Sequence, residues 1–200
     1  MSSGEFHIID PDRGQDIVRK HESLAEFIRE HSYDGLLLMR PENFSWLTTG
    51  GDSSRGSWND LKAGLFISPE ARVLISRNTD STQIFDRDIP GLGFQLKERL
   101  WEEDRDVLMS DLCRGRNVAC DQPFDRCDDV SLHVAGLRTP LSKYESRIIR
   151  DLGRYVSHSV EATARAFQRG DSESEIAGQL AHRLYRHEVI PERIQILADG

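Results

Sequence analysis

Ile17, Leu24, Phe27 and Ile28 recur at helical spacing with Arg19, Lys20, Glu26 and Arg29 between them, so residues 15–31 predict an amphipathic helix with one packing face. Tyr33-Asp34-Gly35 breaks that period. Leu36-Leu37-Leu38-Met39 is then a short continuous apolar run bounded by turn residues, the pattern of a strand buried on both faces. Pro41 opens a helical turn through Asn43, Phe44, Trp46 and Leu47, which Gly50-Gly51 ends. The loop that follows, residues 52–59, is polar except for Trp58.

Leu65-Phe66-Ile67 and Val73-Leu74-Ile75, separated by Ser68-Pro69-Glu70-Ala71-Arg72, read as a hairpin of two strands. Residues 79–85 suit a short helix and Pro90-Gly91 a turn. Trp101, Val107, Leu108 and Leu112 suggest another helix, and Asn117-Val118-Ala119-Cys120 a strand. Hairpins interleaved with helices give an α/β front part with a mixed sheet, bounded near Arg138-Thr139-Pro140.

Beyond that boundary the pattern becomes helical. Ser142 followed three residues later by Glu145 is a capping box, in which hydroxyl and carboxylate satisfy orphan amides at a helix start. Ile148, Ile149, Leu152, Tyr155, Val156, Val160, Thr163, Ala166 and Phe167 keep the helical period, and Gly170 supplies a left-handed exit. A helix over 142–168 would be about 40 Å long. Ser172 and Glu175 form a second capping box, Ile176, Leu180 and Leu184 stripe a second helix ending before Pro191, and residues 194–198 start a strand. Two striped helices and one strand cannot bury their surfaces on each other alone, so this part reads as a piece of a larger unit.

Composition narrows the function classes. A 200-residue chain accommodates one large domain, or one domain and part of a second. With 38% hydrophobic and 30% charged residues it is a globular chain with a charged surface, which excludes a collagenous or low-complexity protein. The formal charge of -8 repels phosphate backbones and anionic lipid, so neither nucleic acid nor membrane is an expected partner. No apolar run approaches the roughly 20 residues that span a bilayer, and the polar stretch 1–14 lacks a secretory signal's apolar core, so a cytoplasmic location is expected. Cys113, Cys120 and Cys127, odd in number and seven apart, fit neither a paired disulfide framework nor a Cys-x-x-Cys zinc spacing; they read as reduced thiols.

Three segments in order carry a family resemblance. Pro41-Glu42-Asn43-Phe44-Ser45-Trp46-Leu47-Thr48-Thr49-Gly50, after a helix and an apolar strand, resembles the Pro-x-Asn-x-x-Tyr-Leu-Thr-Gly signature of the amino-terminal domain of creatinase, prolidase and aminopeptidase P. Leu141-Ser142-Lys143-Tyr144-Glu145, the long helix, and Arg169-Gly170-Asp171-Ser172-Glu173-Ser174-Glu175-Ile176-Ala177 look like the entry to the pita-bread catalytic domain of the same proteins. The pattern departs at Thr49-Gly50-Gly51, at Arg169 where proline is usual, and in the order Ser142-Lys143. The resemblance implies a polar tail over 1–14, a creatinase/prolidase-like amino-terminal domain over 15–138 and the start of a pita-bread α+β domain over 139–200.

The activity the resemblance implies is metal-dependent hydrolysis of X-Pro or similar small amide bonds, by a homodimer. Two divalent ions (Mn, Co, Fe or Zn) would be held by two Asp, one His and two Glu on later strands, so no catalytic or metal-binding residue is assigned within this chain and the chain by itself is expected to be inactive. A metal-free peptide- or protein-binding module, or creatinase- or lyase-type chemistry, are the alternatives on the same scaffold. In relatives the loop after the Thr-Gly signature reaches toward the active-site mouth, which makes Arg55 and Trp58 candidates for substrate contact: an Arg suits a carboxylate, a Trp an apolar wall. His158 with Glu161, and His182 with His187, read as solvated helix faces rather than a metal site, Asp151 and Asp171 as surface or capping residues, and Cys120 as packing rather than a nucleophile.

Overall fold

The first helix begins where an acidic cap meets a proline. In the computed structural model, which describes residues 10–54 and 63–197, the Asp10 side chain accepts a hydrogen bond from Asp12 N (3.0 Å), and Pro11, which has no N–H to satisfy, occupies the first turn. Helix α1 therefore spans Pro11–Glu30, four residues longer at its start than the apolar stripe indicated. It buries Ile17, Leu24, Phe27 and Ile28, the face read from the sequence, and also Asp16 and Lys20. Contacts divide the chain into two compact units, Met1–Leu141 and Ser142–Gly200.

In the first unit α1 is followed by β1 (Gly35–Leu38), α2 (Pro41–Thr48), β2 (Ala63–Ile67), β3 (Arg72–Arg77) and the short α3 (Asn78–Ser81). A wider helical turn, Thr82–Asp88, continues α3 and closes with Ile89 N donating to Ile84 O, an i→i+5 bond. Then come β4 (Gln95–Arg99), α4 (Arg105–Cys113), β5 (Val118–Cys120), β6 (Asp128–Asp129) and α5 (Ser131–Arg138). The six strands form one mixed sheet in the order β4-β3-β2-β1-β5-β6. The expected hairpin β2–β3 is antiparallel, β1 is antiparallel to β2, and β4, β5 and β6 each join in parallel.

Strand alternation sorts the core onto the two faces. Leu36 and Leu38 face the layer of Ile17, Leu24, Phe44, Leu47 and Val134, brought by α1, α2 and α5. Leu37 and Met39 face Leu108, Met109 and Leu112 of α4. A continuous apolar run is what a strand covered on both sides requires, which is why β1 was legible. Gly35 is needed there: a Cβ would come within 2.5 Å of the Phe66 ring and 3.0 Å of Ile67 O. The edge strands were not anticipated. β4, with sequence QLKER, is held by backbone pairing on β3 and leaves its polar side chains at the margin, so no apolar period marks it. β6 is two exposed residues. Trp101 stands outside α4 and is 63% exposed, so it is not part of that helix's packing face.

In the second unit both capping boxes form as read. Ser142 and Glu145 exchange bonds at the start of α6 (Lys143–Ala166), and Ser172 and Glu175 do so at the start of α7 (Glu173–Tyr185). Two expectations are corrected. α6 stops at Phe167, whose backbone turns extended (φ −65, ψ 147), so Gly170, although its φ is 105, belongs to the connection and does not terminate the helix. Residues 194–197 form no strand, because among the described residues of this unit no other strand offers a ladder of N–H and C=O groups to pair with. Ser159 and Thr163 of α6 are buried, while Ile148, Ile149, Leu152, Tyr155 and Val160 are each at least 44% exposed. The helical period was read correctly, and most of its apolar stripe stays open to solvent.

Candidate functional site

The signature segment Pro41–Thr48 and the residues after it form one bonded assembly. Pro41 starts α2 with its fixed φ, and the buried Asn43 on the first turn donates from Nδ2 to Asp121 Oδ2 (2.8 Å). Asp121, fully buried at the end of β5, also accepts from Met39 N (2.8 Å) and Arg40 N (3.0 Å). One carboxylate thus joins the exit of β1 to the entry of α2. Burial raises the Asp121 carboxyl above the usual aspartate range, against the bonds from Asn43, Met39 and Arg40, which favour the charged form.

At its other end α2 is held by two cations from α1. Thr49 takes the left-handed conformation (φ 54, ψ 58), its N–H returns to Trp46 O (3.2 Å), and Gly50, with φ 107, donates to Ser45 O (2.8 Å). Lys20 Nζ donates to Trp46 O (2.7 Å) and Thr49 Oγ1 (3.1 Å) and pairs with Asp16 Oδ2 (2.8 Å), the two side chains being 7% and 1% exposed. Arg13 donates from Nε and Nη2 to Thr48 O (3.2 and 2.9 Å) and from Nη2 to Asp88 O (2.9 Å). Cations at these carbonyls offset the negative end of the helix. Thr48 Oγ1 donates to Phe44 O (2.7 Å) and accepts from Gly51 N (3.0 Å), and Asp52 Oδ1 accepts from Ser54 N (2.8 Å) and Ser54 Oγ (2.7 Å). Burial holds the nearby Asp88 carboxyl above its usual range against a hydrogen bond from Gln83, and the Asp52 carboxylate pushes the same way.

This assembly extends as far as Ser54. Arg55 and Trp58, the two substrate-contact candidates, lie outside the described residues. A groove of about 660 Å³ on the first unit is lined by Gln15, Val18, Arg19, Glu22, Arg72 and Gly93, none of them from the signature segment or the loop after it. His158 and His187 approach with ring centroids 6.4 Å apart and Tyr155 stacks on His187 at 4.8 Å, but among the described residues no group of three or more His, Cys, Asp or Glu is placed to hold a metal ion. Cys120 is fully buried and donates to Asp128 O (3.4 Å), as a packing residue would. What sequence reasoning missed is the set of charged residues that holds the two ends of α2: Arg13, Asp16, Lys20 and Asp121. A charged Asp16 and Lys20 within the apolar face of α1 were the available signal for two of these.

The X-Pro aminopeptidase from Thermotoga maritima MSB8 superposes with a TM-score of 0.62 at 16% identity, covering 83% of this chain and 49% of that one. The prolidase from Thermococcus sibiricus gives 0.61 at 15% identity (86% and 50%), and the Xaa-Pro dipeptidase from Bacillus anthracis 0.59 at 14% (86% and 49%). The chain has the prolidase fold. No protein-family model and no curated protein sequence matches it. The chain spans about half the length of these prolidase-fold structures, and the match takes in more of it than the first unit alone supplies. Among the described residues no helix of this prolidase-fold chain is long and apolar enough to cross a membrane.

Proposed function

We propose that this chain supplies the amino-terminal half of a metal-dependent hydrolase that cleaves X-Pro or similar small amide bonds, residues 15–138 as the creatinase-like domain and 139–200 as the start of a pita-bread catalytic domain. The observation that carries the reading is the match to X-Pro peptidase structures over 83–86% of the chain but only about half of theirs. The exposed apolar stripe of α6, from Ile148 to Val160, supports it, because a helix with such a face has surface left to bury. On this reading the divalent ions are held by residues beyond position 200. No step of the hydrolysis belongs to the described residues. Their part is to aim the loop that carries Arg55 and Trp58, the proposed contacts for a substrate carboxylate and an apolar side chain, in a homodimer located in the cytoplasm.

The test is hydrolysis of X-Pro dipeptides and longer X-Pro peptides by the product of the full reading frame, loaded with Mn²⁺ or Co²⁺ and with its metal content measured. Cleavage by that protein, none by residues 1–200 alone, and a raised KM in Arg55→Ala are expected. Metal-loaded protein that leaves every such peptide intact would sink the proposal and favour a binding module, for which the charge of -8 would suit basic peptides. Unchanged kcat and KM in the Arg55 variant would remove that residue from the site.

A further inference from the structure

Three thiols that lie seven residues apart in sequence converge on the α4 face of the sheet. Cys113 ends α4, Cys120 ends β5 and Cys127 lies on the turn before β6; all three belong to or pack against the same apolar cluster. Cys113 Sγ and Cys127 Sγ are 3.6 Å apart, in van der Waals contact, so a bond of about 2.05 Å needs a closure of only about 1.5 Å. The third thiol is set aside. Cys120 has no exposed surface and its Sγ is bonded to Asp128 O at 3.4 Å, whereas Cys127 is part-exposed on a turn closed by its own N–H to Phe124 O (3.0 Å).

We propose that Cys113 and Cys127 are a modification site, closing to a reversible intramolecular disulfide under hydrogen peroxide and tying the end of α4 to the β5–β6 turn. The Cys127 sulfur attacks the peroxide: an S–O bond forms, the O–O bond breaks, and the departing hydroxide takes up the thiol's proton as water. Cys113 sulfur then attacks the sulfenic sulfur; the S–S bond forms, the S–O bond breaks, and a second water carries off the Cys113 proton. Two thiols lose two electrons in all and the peroxide becomes two waters. A reducing thiol reverses the bond by exchange. Burial pushes the Cys113 thiol up and the Cys127 thiol up to about 12, which keeps thiolate scarce at neutral pH and makes the closure slow, a response to sustained oxidant and not to a brief pulse. The odd cysteine count left the pairing open in the sequence; Cys127 lies against both other thiols, and the complete burial of Cys120 with its bond to Asp128 O leaves Cys113, at 3.6 Å, as the partner.

The experiment uses the reduced full chain, treated with hydrogen peroxide for many times the period that oxidises free glutathione in a parallel tube, then alkylated, digested and mapped by mass spectrometry. The expected result is loss of two of the three alkylatable thiols, a peptide pair linked through Cys113 and Cys127 that dithiothreitol separates, and alkylation retained at Cys120. Cys120→Ser should give the same link and Cys127→Ser none. A link that includes Cys120, a link between two chains, or three intact thiols after the treatment would each overturn the proposal, and the unmutated chain alone decides among them.

Discussion

Replacing Asp121 by alanine takes the acceptor away from three donors at once: Met39 N at 2.8 Å, Arg40 N at 3.0 Å and Asn43 Nδ2 at 2.8 Å. The bonds to Met39 and Asn43 are buried and that to Arg40 part-buried, so water reaches only the last. A buried donor left without a partner costs about 1–3 kcal/mol, so two give about 2–6 kcal/mol. Removing a carboxylate that burial already disfavours returns part of this, which leaves a net loss of about 3 kcal/mol. Against a typical total of about 5–15 kcal/mol that is a large fraction. Asp121→Asn should cost nearly as much, because its amide offers one acceptor oxygen and turns an N–H₂ toward the remaining donors. The assay is urea unfolding of the full chain at neutral pH, followed by tryptophan fluorescence. Trp46, Trp58 and Trp101 all lie in the first unit, so the signal reports that unit alone. A loss below about 1 kcal/mol for alanine, or an asparagine variant as stable as the parent, would refute the idea that Asp121 holds β1 to α2 by satisfying these donors.

Two further outcomes follow from the same geometry. Lys20→Met should cost about 3 kcal/mol in the same unfolding assay, since it leaves the 1% exposed Asp16 without its cation and frees Trp46 O; adding Asp16→Leu should recover much of the loss, and a double variant no better than the single would count against a paired burial. Bonds from Ser172 N and Oγ hold the Glu175 carboxyl below the usual glutamate range, so its contribution to α7 is present above that range and is lost as pH falls through the lowered value; circular dichroism of the full chain should show this acid loss, and Glu175→Gln should flatten it.

Much of the architecture was legible because local rules and burial agree. The stripe of α1, the apolar run of β1, the β2–β3 hairpin and both capping boxes each state a period or a cap that needs no distant partner to be recognised. The segment before Thr49-Gly50 was legible as a signature, and its physical content emerged afterwards: Asn43 is tied to Asp121, and Thr49 to Lys20. β4 and β6 were not legible, since a polar edge strand owes its existence to the backbone of the strand beside it. The strand read over 194–198 failed for the converse reason, an apolar stretch whose ladder has nothing to pair with among the described residues.

From its residues alone this chain determined where helices start, which faces are apolar, and that a mixed α/β part precedes a helical one, because these depend on spacing and capping within a few turns. Tertiary structure decided the strand order, the convergence of Cys113 with Cys127 and the burial of Asp16, Lys20 and Asp121. Each of those depends on contacts between different elements, Lys20 with Trp46 and Asp121 with Asn43 among them, which local spacing does not encode, so only the folded path of the backbone brings them within bonding distance.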